Sequence, residues 1–210
     1  MTAMKLYEFP PTRSIRARWM LQELDIPFEA ITVSLQQGEH QQPEYKKINP
    51  AGKLPALVDG DFVLTESVAI VLYLAEKAQG QAFIPKDLRE RANMYRWLMF
   101  TVTELEQPLW RIARNTTLYA EADRSPSDVS VASREFKEMA AVLEAHMSGR
   151  KYVASDHVTL CDFVLAYTLD WGNEARLLGH CPQLKAYMES MYQRPKAAPR
   201  IAQAFASLRS

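Results

Sequence analysis

From Asn49 to Ser67 the chain reads Asn-Pro-Ala-Gly-Lys-Leu-Pro-Ala-Leu-Val-Asp-Gly-Asp-Phe-Val-Leu-Thr-Glu-Ser, an order that few folds accommodate. Asn49-Pro50-Ala51-Gly52 signals a turn, and Pro55 then opens a short apolar run. A proline at the first position of a strand is tolerated, because its missing N–H need not join the ladder. Asp59-Gly60, set between Ala56-Leu57-Val58 and Phe62-Val63-Leu64, predicts a tight hairpin. Thr65-Glu66-Ser67 leads at once into Val68 to Ala75, a run apolar on every side, as in a helix buried against a sheet. The free N–H groups at such a helix start can hold an anion. An exposed strand backbone beside Pro55 can pair with an extended ligand.

The residues before this stretch supply the other half of a sheet. Met4 to Glu8 alternates as a strand, and the two prolines of Phe9-Pro10-Pro11-Thr12-Arg13-Ser14 exclude helix before Thr12. Ala17, Met20, Leu21 and Leu24 recur at helical spacing, with Arg16, Arg18, Gln22 and Glu23 assigned to the other faces. Pro27 ends that helix, and Phe28 to Val33 forms a second strand. Strand, helix and strand at this length make a βαβ unit with parallel strands. Ser34 to Ile48 is polar, with room for a short helix around Pro43 to Lys47. Followed by the hairpin and its helix, the order is that of a thioredoxin-like α/β domain. Dithiol chemistry is excluded, since no cysteine precedes Cys161.

Residues 79–87 read as a linker between a first domain, 1–78, and an all-α C-terminal domain, 88–210. Asp87-Leu88-Arg89-Glu90 is a helix-capping signature, and the long helix it opens must kink or break at Pro108. Tyr119 to Val129 is polar and reads as loop, with a second long helix to about Met147. Thr159-Leu160-Cys161-Asp162 is another cap, opening the apolar run Phe163 to Tyr167. Shorter helices are expected over Pro182 to Gln193 and Lys196 to Leu208. Charge is balanced in both parts, 9 basic and 10 acidic residues up to Lys86 and 16 and 15 after it, so no basic face suggests nucleic acid. No apolar run is long enough to span a bilayer. With Cys161 and Cys181 the only cysteines, no disulfide framework is suggested, and a cytoplasmic protein is expected.

The motif from Asn49 to Ile70, and the order of elements from about Met4 to Glu76, resemble the glutathione-binding half of the cytosolic glutathione transferase family. The Asp162 cap resembles the start of the central buried helix of that family's second domain. The loop before the first helix is similar to that of a bacterial-type member with a serine/threonine loop. The resemblance implies a thioredoxin-like domain followed by an all-helical domain, glutathione as co-substrate and a homodimer. It implies conjugation of the glutathione thiolate to a small apolar electrophile, a detoxification chemistry. Glutathione-dependent isomerisation or disulfide reduction remains open. A non-catalytic binding or interaction module on the same fold is the alternative.

Several residues take roles from the same resemblance. Ser67 and the helix N–H groups would bind the γ-glutamyl carboxylate while Glu66 faces the amine. A cis Leu54–Pro55 bond would turn the Leu54 backbone toward the cysteinyl part of the ligand. Lys53, with His40, would reach the glycyl carboxylate. With Arg16-Ala17-Arg18 matched to the family's helix start, the resemblance puts Pro11 where serine-type members often keep a hydroxyl. Thr12, Ser14 or a backbone N–H is therefore left to hold the thiolate, with Arg13 as a further charge. The plainer role of Ser14 is helix capping. Trp110 and Arg111, just past Pro108, are the candidates for the electrophile pocket. His146, His157 and His180 lack metal-ligand spacing, so no metal site is expected.

Overall fold

A computed structural model of the protein describes residues 3–78 and 83–208. The described residues of Met1–Ile84 and Tyr192–Ser210 make one compact unit, and Pro85–Met191 the other. Of the expected linker, Gln79 to Ala82 lie outside the described residues, whereas Phe83 and Ile84 are buried.

In the first unit β1 (Met4–Glu8) leads through α1 (Ser14–Glu23) to β2 (Phe28–Thr32). A one-turn helix, α2 (Pro43–Lys46), precedes β3 (Ala56–Asp59), β4 (Phe62–Thr65) and α3 (Ser67–Lys77). The sheet order is β2-β1-β3-β4. β1 and β2 run parallel from Met4 opposite Phe28, and β3 is antiparallel to β1 with Leu6 opposite Leu57. This is the βαβ-ββα order expected of a thioredoxin-like domain. Helices α1 and α3 pack together, and Leu6, Ala17, Trp19, Met20, Leu21, Leu57, Ile70 and Leu74 are sealed from solvent. Sealing a side chain of this size contributes about 1.5–3 kcal/mol before conformational entropy is counted.

The hairpin differs in detail from its expectation. Asp59 pairs with Phe62, so the two loop residues are Gly60 and Asp61, and Gly60 takes the left-handed position at φ 66°. Asp59 stays in the strand, where its carboxylate receives the Tyr73 hydroxyl at 2.5 Å and pairs with Lys77 of α3. The Leu54–Pro55 bond is cis.

The C-terminal stretch of this unit is shorter in helix than the sequence suggests, with α9 confined to Ile201–Ser207. Its approach is held by ion pairs instead. Arg194 grips Glu23 of α1 through two bonds of 2.7 Å, Lys196 pairs with Asp25, and Tyr192 stacks on Trp19 at 4.7 Å.

The second unit contains α4 (Leu88–Phe100), α5 (Glu106–Ala113), α6 (Pro126–His146), α7 (Leu160–Glu174) and α8 (Pro182–Tyr192), whose last residue falls in the first unit. Asp87 caps α4 by accepting the Arg89 and Glu90 amides at 2.9 and 3.0 Å. The break expected at Pro108 falls one turn earlier, as a π-helical segment over Thr101–Leu105. A proline lacks the N–H for the carbonyl four residues back and crowds it, and a wider turn relieves both. The Thr101 and Thr103 hydroxyls bond the Trp97 and Met99 carbonyls there, at 2.7 and 2.9 Å. A second π segment, Arg114–Leu118, ends α5.

The polar run Tyr119–Val129 is not all loop. A short 3₁₀ turn occupies Glu121–Asp123, and α6 begins at Pro126, with Ser125 as its cap. Helix α7 is the centre of the unit and is buried from Leu160 through Asp170. At its start Asp162 accepts four bonds, from the Thr159 amide (2.8 Å), the Thr159 hydroxyl (3.0 Å), the Val153 amide (3.0 Å) and the Tyr187 hydroxyl (2.7 Å). Burial still raises the Asp162 carboxyl above the usual range, against the pull of those bonds. Among the described residues no helix is long and apolar enough to cross a membrane.

Candidate functional site

The loop between β1 and α1 folds back on itself through its hydroxyls. Thr12 donates to the Phe9 carbonyl through both its amide (3.0 Å) and its hydroxyl (2.7 Å). The Ser14 and Thr12 oxygens lie 2.8 Å apart, and the Ser14 amide points at Thr12 Oγ1 from 3.2 Å. Ser14 Oγ in turn receives the Phe9 amide at 3.3 Å. With the Thr12 proton on Phe9, the proton between the two hydroxyls belongs to Ser14. Ser14 is sealed from solvent, whereas Thr12 is half-exposed. Only Thr12 can present its oxygen to a ligand; Ser14 stands behind it as a donor. Arg13, half-buried, occupies the N-cap position of α1 without a side-chain cap bond.

At the head of α3 the chain turns through Glu66, an exposed residue at φ 67°, ψ 114°. A non-glycine residue with positive φ is uncommon and is held by its surroundings. The first helical bond runs from the Ile70 amide to the Glu66 carbonyl at 2.9 Å. The amides of Ser67, Val68 and Ala69 therefore precede the ladder, and no side chain caps them. Ser67 is 6% exposed, and its hydroxyl oxygen accepts a bond of 3.3 Å from Arg16 Nη1. An arginine only donates, so this contact leaves the Ser67 proton to be given elsewhere.

Arg16 corrects the reading of α1. Placed on a polar face by helical spacing, it is 1% exposed and reaches across to α3. Arg18 is the outer residue, half-buried over Phe28 at 5.3 Å and paired with the buried Glu8 of β1. The apolar spacing of Ala17, Met20, Leu21 and Leu24 does not distinguish the two arginines, because they flank that stripe at similar angles on either side.

The turn before Pro55 is anchored by Asn49, part of the turn signal, and by Tyr45, which the sequence pattern does not single out. Tyr45 Oη (2.6 Å) and Asn49 Nδ2 (2.7 Å) both donate to the Lys53 carbonyl, and both residues are 5% exposed. Burial pushes the Tyr45 phenol well above its ordinary range, so it remains a donor at every working pH. Gly52 takes φ 60°, and a Cβ there would meet the His40 carbonyl at 2.9 Å. That close approach brings the His40 loop beside Lys53, whose side chain is exposed. His40 is half-buried, and its Nδ1 has no partner among the described residues. Thr12, Ser14, Lys53, Leu54, Pro55, Glu66, Ser67 and His40 thus all belong to loops and helix starts of the first unit.

Trp110 and Arg111 belong to α5, in the second unit. Arg111 binds Asp128 through Nε at 3.1 Å and through Nη2, and binds Glu135 through Nη1, tying α5 to α6. Asn115 adds a bond of 3.0 Å to the same Asp128 carboxylate. Arg111 and Asn115 hold that carboxyl below its usual range. Trp110 is half-buried, its ring edge-on to Trp171 at 6.5 Å. Among the described residues no cluster of His, Cys, Asp or Glu has the arrangement of a metal site.

The chain matches the family model for the glutathione S-transferase N-terminal domain over residues 2–76. It matches that for the C-terminal domain over residues 102–195. Glutathione S-transferase F10 of Arabidopsis thaliana is 39% identical over 154 residues, 71% of either chain. Glutathione S-transferase F9 of the same plant is 36% identical over 178 residues, 82% of this chain and 79% of its own. Among solved structures, glutathione transferase F7 from Populus trichocarpa superposes with a TM-score of 0.81 at 27% identity, covering 98% of this chain and 99% of its own. The theta class glutathione S-transferase from Xanthomonas axonopodis pv. citri, solved with glutathione bound, gives 0.80 at 26% identity, covering 94% and 96%. The two domain models together span more than half of the sequence, and the folded order of elements is theirs: this chain belongs to the glutathione S-transferase family.

Proposed function

We propose that the protein conjugates the glutathione thiolate to a small apolar electrophile, with Thr12 as the group that holds the sulfur. The hydroxyl pair at the start of α1 carries this reading. When Thr12 turns its proton from Phe9 to the sulfur, Phe9 keeps the Thr12 amide and Ser14 keeps donating to Thr12. A chain from Ser14 to Thr12 to sulfur results, in which each donor strengthens the next.

The rest of the first domain, 1–78, holds the peptide. The Leu54 backbone beside Pro55 pairs with the cysteinyl part, and Lys53 with His40 takes the glycyl carboxylate. Ser67 and the α3 amides receive the γ-glutamyl carboxylate while Glu66 meets its amine. The helical domain, 88–210, supplies the acceptor through Trp110. In the reaction the sulfur lone pair bonds to the electrophilic carbon, the leaving group departs with its bonding pair, and the thiol proton passes to solvent. Turnover of glutathione with a chlorodinitrobenzene tests this. Binding of glutathione with no turnover would instead identify a non-catalytic module on the same fold.

A homodimer is part of the reading. Leu88, Ala92, Tyr95 and Met99 recur along α4 as an exposed stripe, and Phe62 and Val63 of β4 are also exposed. A stable dimer of this kind buries on the order of 2,000 Å². Light scattering at micromolar concentration should give twice the 24.0 kDa chain mass, and a monomer mass would remove the dimer from the proposal. A cytoplasmic location fits Cys161 and Cys181, both buried and unbridged.

A further inference from the structure

The structure contains two arginines near Trp110, and they are not equivalent. Arg111 is matched by Asp128 and Glu135. Arg114, one turn on, forms no ion pair and no side-chain hydrogen bond among the described residues, and its Nε is buried without a partner. Its guanidinium carbon lies 5.8 Å from the Trp110 ring centre and 5.8 Å from that of Tyr119, within the range of a cation over an aromatic face. Asp128 feels the Arg114 charge, but its oxygens are taken by Arg111 and Asn115. Glu121 and Asp123, exposed in the following 3₁₀ turn, form no ion pair with Arg114. Apolar groups flank this cation: Leu118 is 59% exposed, Tyr119 39%, and Trp110 half-buried, with the exposed Arg124 held to the Tyr119 carbonyl at 3.0 Å.

A planar cation whose two Nη groups carry no bond among the described residues, set among rings, matches a flat molecule that carries a carboxylate. The fork of a guanidinium pairs with carboxylate geometry, and indole and phenol faces cover an aromatic ring. We infer that Arg114, Trp110 and Tyr119 form a recognition site for an aromatic carboxylate, so that the preferred acceptor carries an anionic group on the apolar ring that the sulfur attacks. The inference rests on the transferase reading for its catalytic meaning. The binding itself does not require turnover.

Two acceptors of one shape separate charge from size: 4-chloro-3,5-dinitrobenzoate and the neutral 4-chloro-3,5-dinitrobenzamide. With either, the sulfur displaces chloride, which leaves with the bonding pair. The wild-type protein should prefer the benzoate in kcat/KM. Arg114→Met should lower the benzoate-to-amide ratio by about tenfold or more, as for a hydrogen bond to a charged group. Arg114→Lys should keep part of the preference. Dissociation constants from tryptophan quenching should shift in parallel. An unchanged ratio, or equal losses on both acceptors, overturns the inference and leaves Arg114 as a staple between two rings. A wild-type protein that turns over neither acceptor overturns the transferase reading alone, while quenching still decides the anion site. If Arg114→Met does not fold, salt decides. Benzoate binding by the wild type should weaken from 0.05 to 0.5 M KCl by roughly severalfold, with the amide unmoved, because screening acts on exposed charge pairs. Equal salt responses count against the site.

Discussion

Thr12→Ala tests the central step of the proposed chemistry. A free cysteine thiol titrates near 8.5, so roughly a few per cent is thiolate at neutral pH. One hydrogen bond to the charged sulfur contributes about 1.5–3 kcal/mol, and about 1.36 kcal/mol equals one pKa unit. Thr12→Ala should therefore raise the pKa of bound glutathione by about one to two units. The start of α1 supplies a further 0.3–1 kcal/mol, roughly, which the substitution leaves in place.

Ser14 is predicted to act at one remove. It lies behind Thr12 at 2.8 Å, and cooperative strengthening of about 10–30% per bond puts its share at roughly half a unit or less. Ser14→Ala should also destabilise the loop by about 1 kcal/mol, since the Phe9 amide loses its acceptor. Thr12→Ser should behave as wild type. The assay is the ultraviolet absorbance of bound thiolate against pH, read beside the pH profile of kcat/KM. Raising the thiol pKa shifts the rising limb of that profile to higher pH, so the variant is slow near neutrality and converges on wild type in alkali. If Thr12→Ala moves the bound thiol by less than about half a unit, the hydroxyl mechanism is wrong. The backbone amides and the end of α1 would then be the activating groups.

Ser67→Ala should weaken glutathione binding by roughly ten- to a hundredfold in calorimetry, and unchanged affinity would reduce Ser67 to an ordinary first residue of α3. Asp162→Asn should destabilise by about 2–4 kcal/mol in denaturant melts, because an amide nitrogen would face donors that now meet Oδ2. Burial raises the Asp162 carboxyl, so the folded state holds that proton more tightly than the unfolded chain. The stability advantage of wild type over Asp162→Asn should then shrink as pH rises from the usual carboxylate range through the raised value; an advantage that grows with pH would contradict the assignment. His146 stacks on Trp97 at 4.1 Å and bonds the Val153 carbonyl at 2.8 Å, and its burial, with Arg150 and Arg96 nearby, lowers its pKa below 6.5. Its contribution is full above about 6.5 and is lost as pH falls through the lowered value, which NMR titration of the ring would locate. Gly172→Ala should destabilise by about 1–3 kcal/mol despite alanine's better helix propensity, because its Cβ would lie 2.5 Å from Phe136 Cζ; a gain in melting temperature would show that α6 yields easily.

Local chemistry made much of this protein legible. Proline and glycine punctuation between Asn49 and Gly60 predicts the strand start and the hairpin, since both residues act through their own backbone. The start of α6 was equally local: Ser125 at the cap, Pro126 at the first turn and Asp128 three residues after the cap are helix signals, hidden in a run whose polarity alone suggests loop. The position of the break near Pro108 was less so. The sequence requires a disruption there, but the chain absorbs it over Thr101–Leu105, where the Thr101 and Thr103 hydroxyls bond carbonyls of the preceding turn.

Residues whose role depends on a distant neighbour were not legible. Arg16 and Arg18 look alike in sequence, yet one is buried toward Ser67 and the other pairs with Glu8. Thr12 and Ser14 look interchangeable as donors, and only the folded loop seals one and leaves the other half-open. Tyr45 and Asn49 gain meaning from a carbonyl that the turn brings to them. Arg111 and Arg114 differ because α6 brings two carboxylates to the first and none to the second. Backbone preference is a property of a few consecutive residues, so the sequence alone determines it. Burial and the pairing of charges are properties of what the fold places within a few ångströms, so only the tertiary structure decides them.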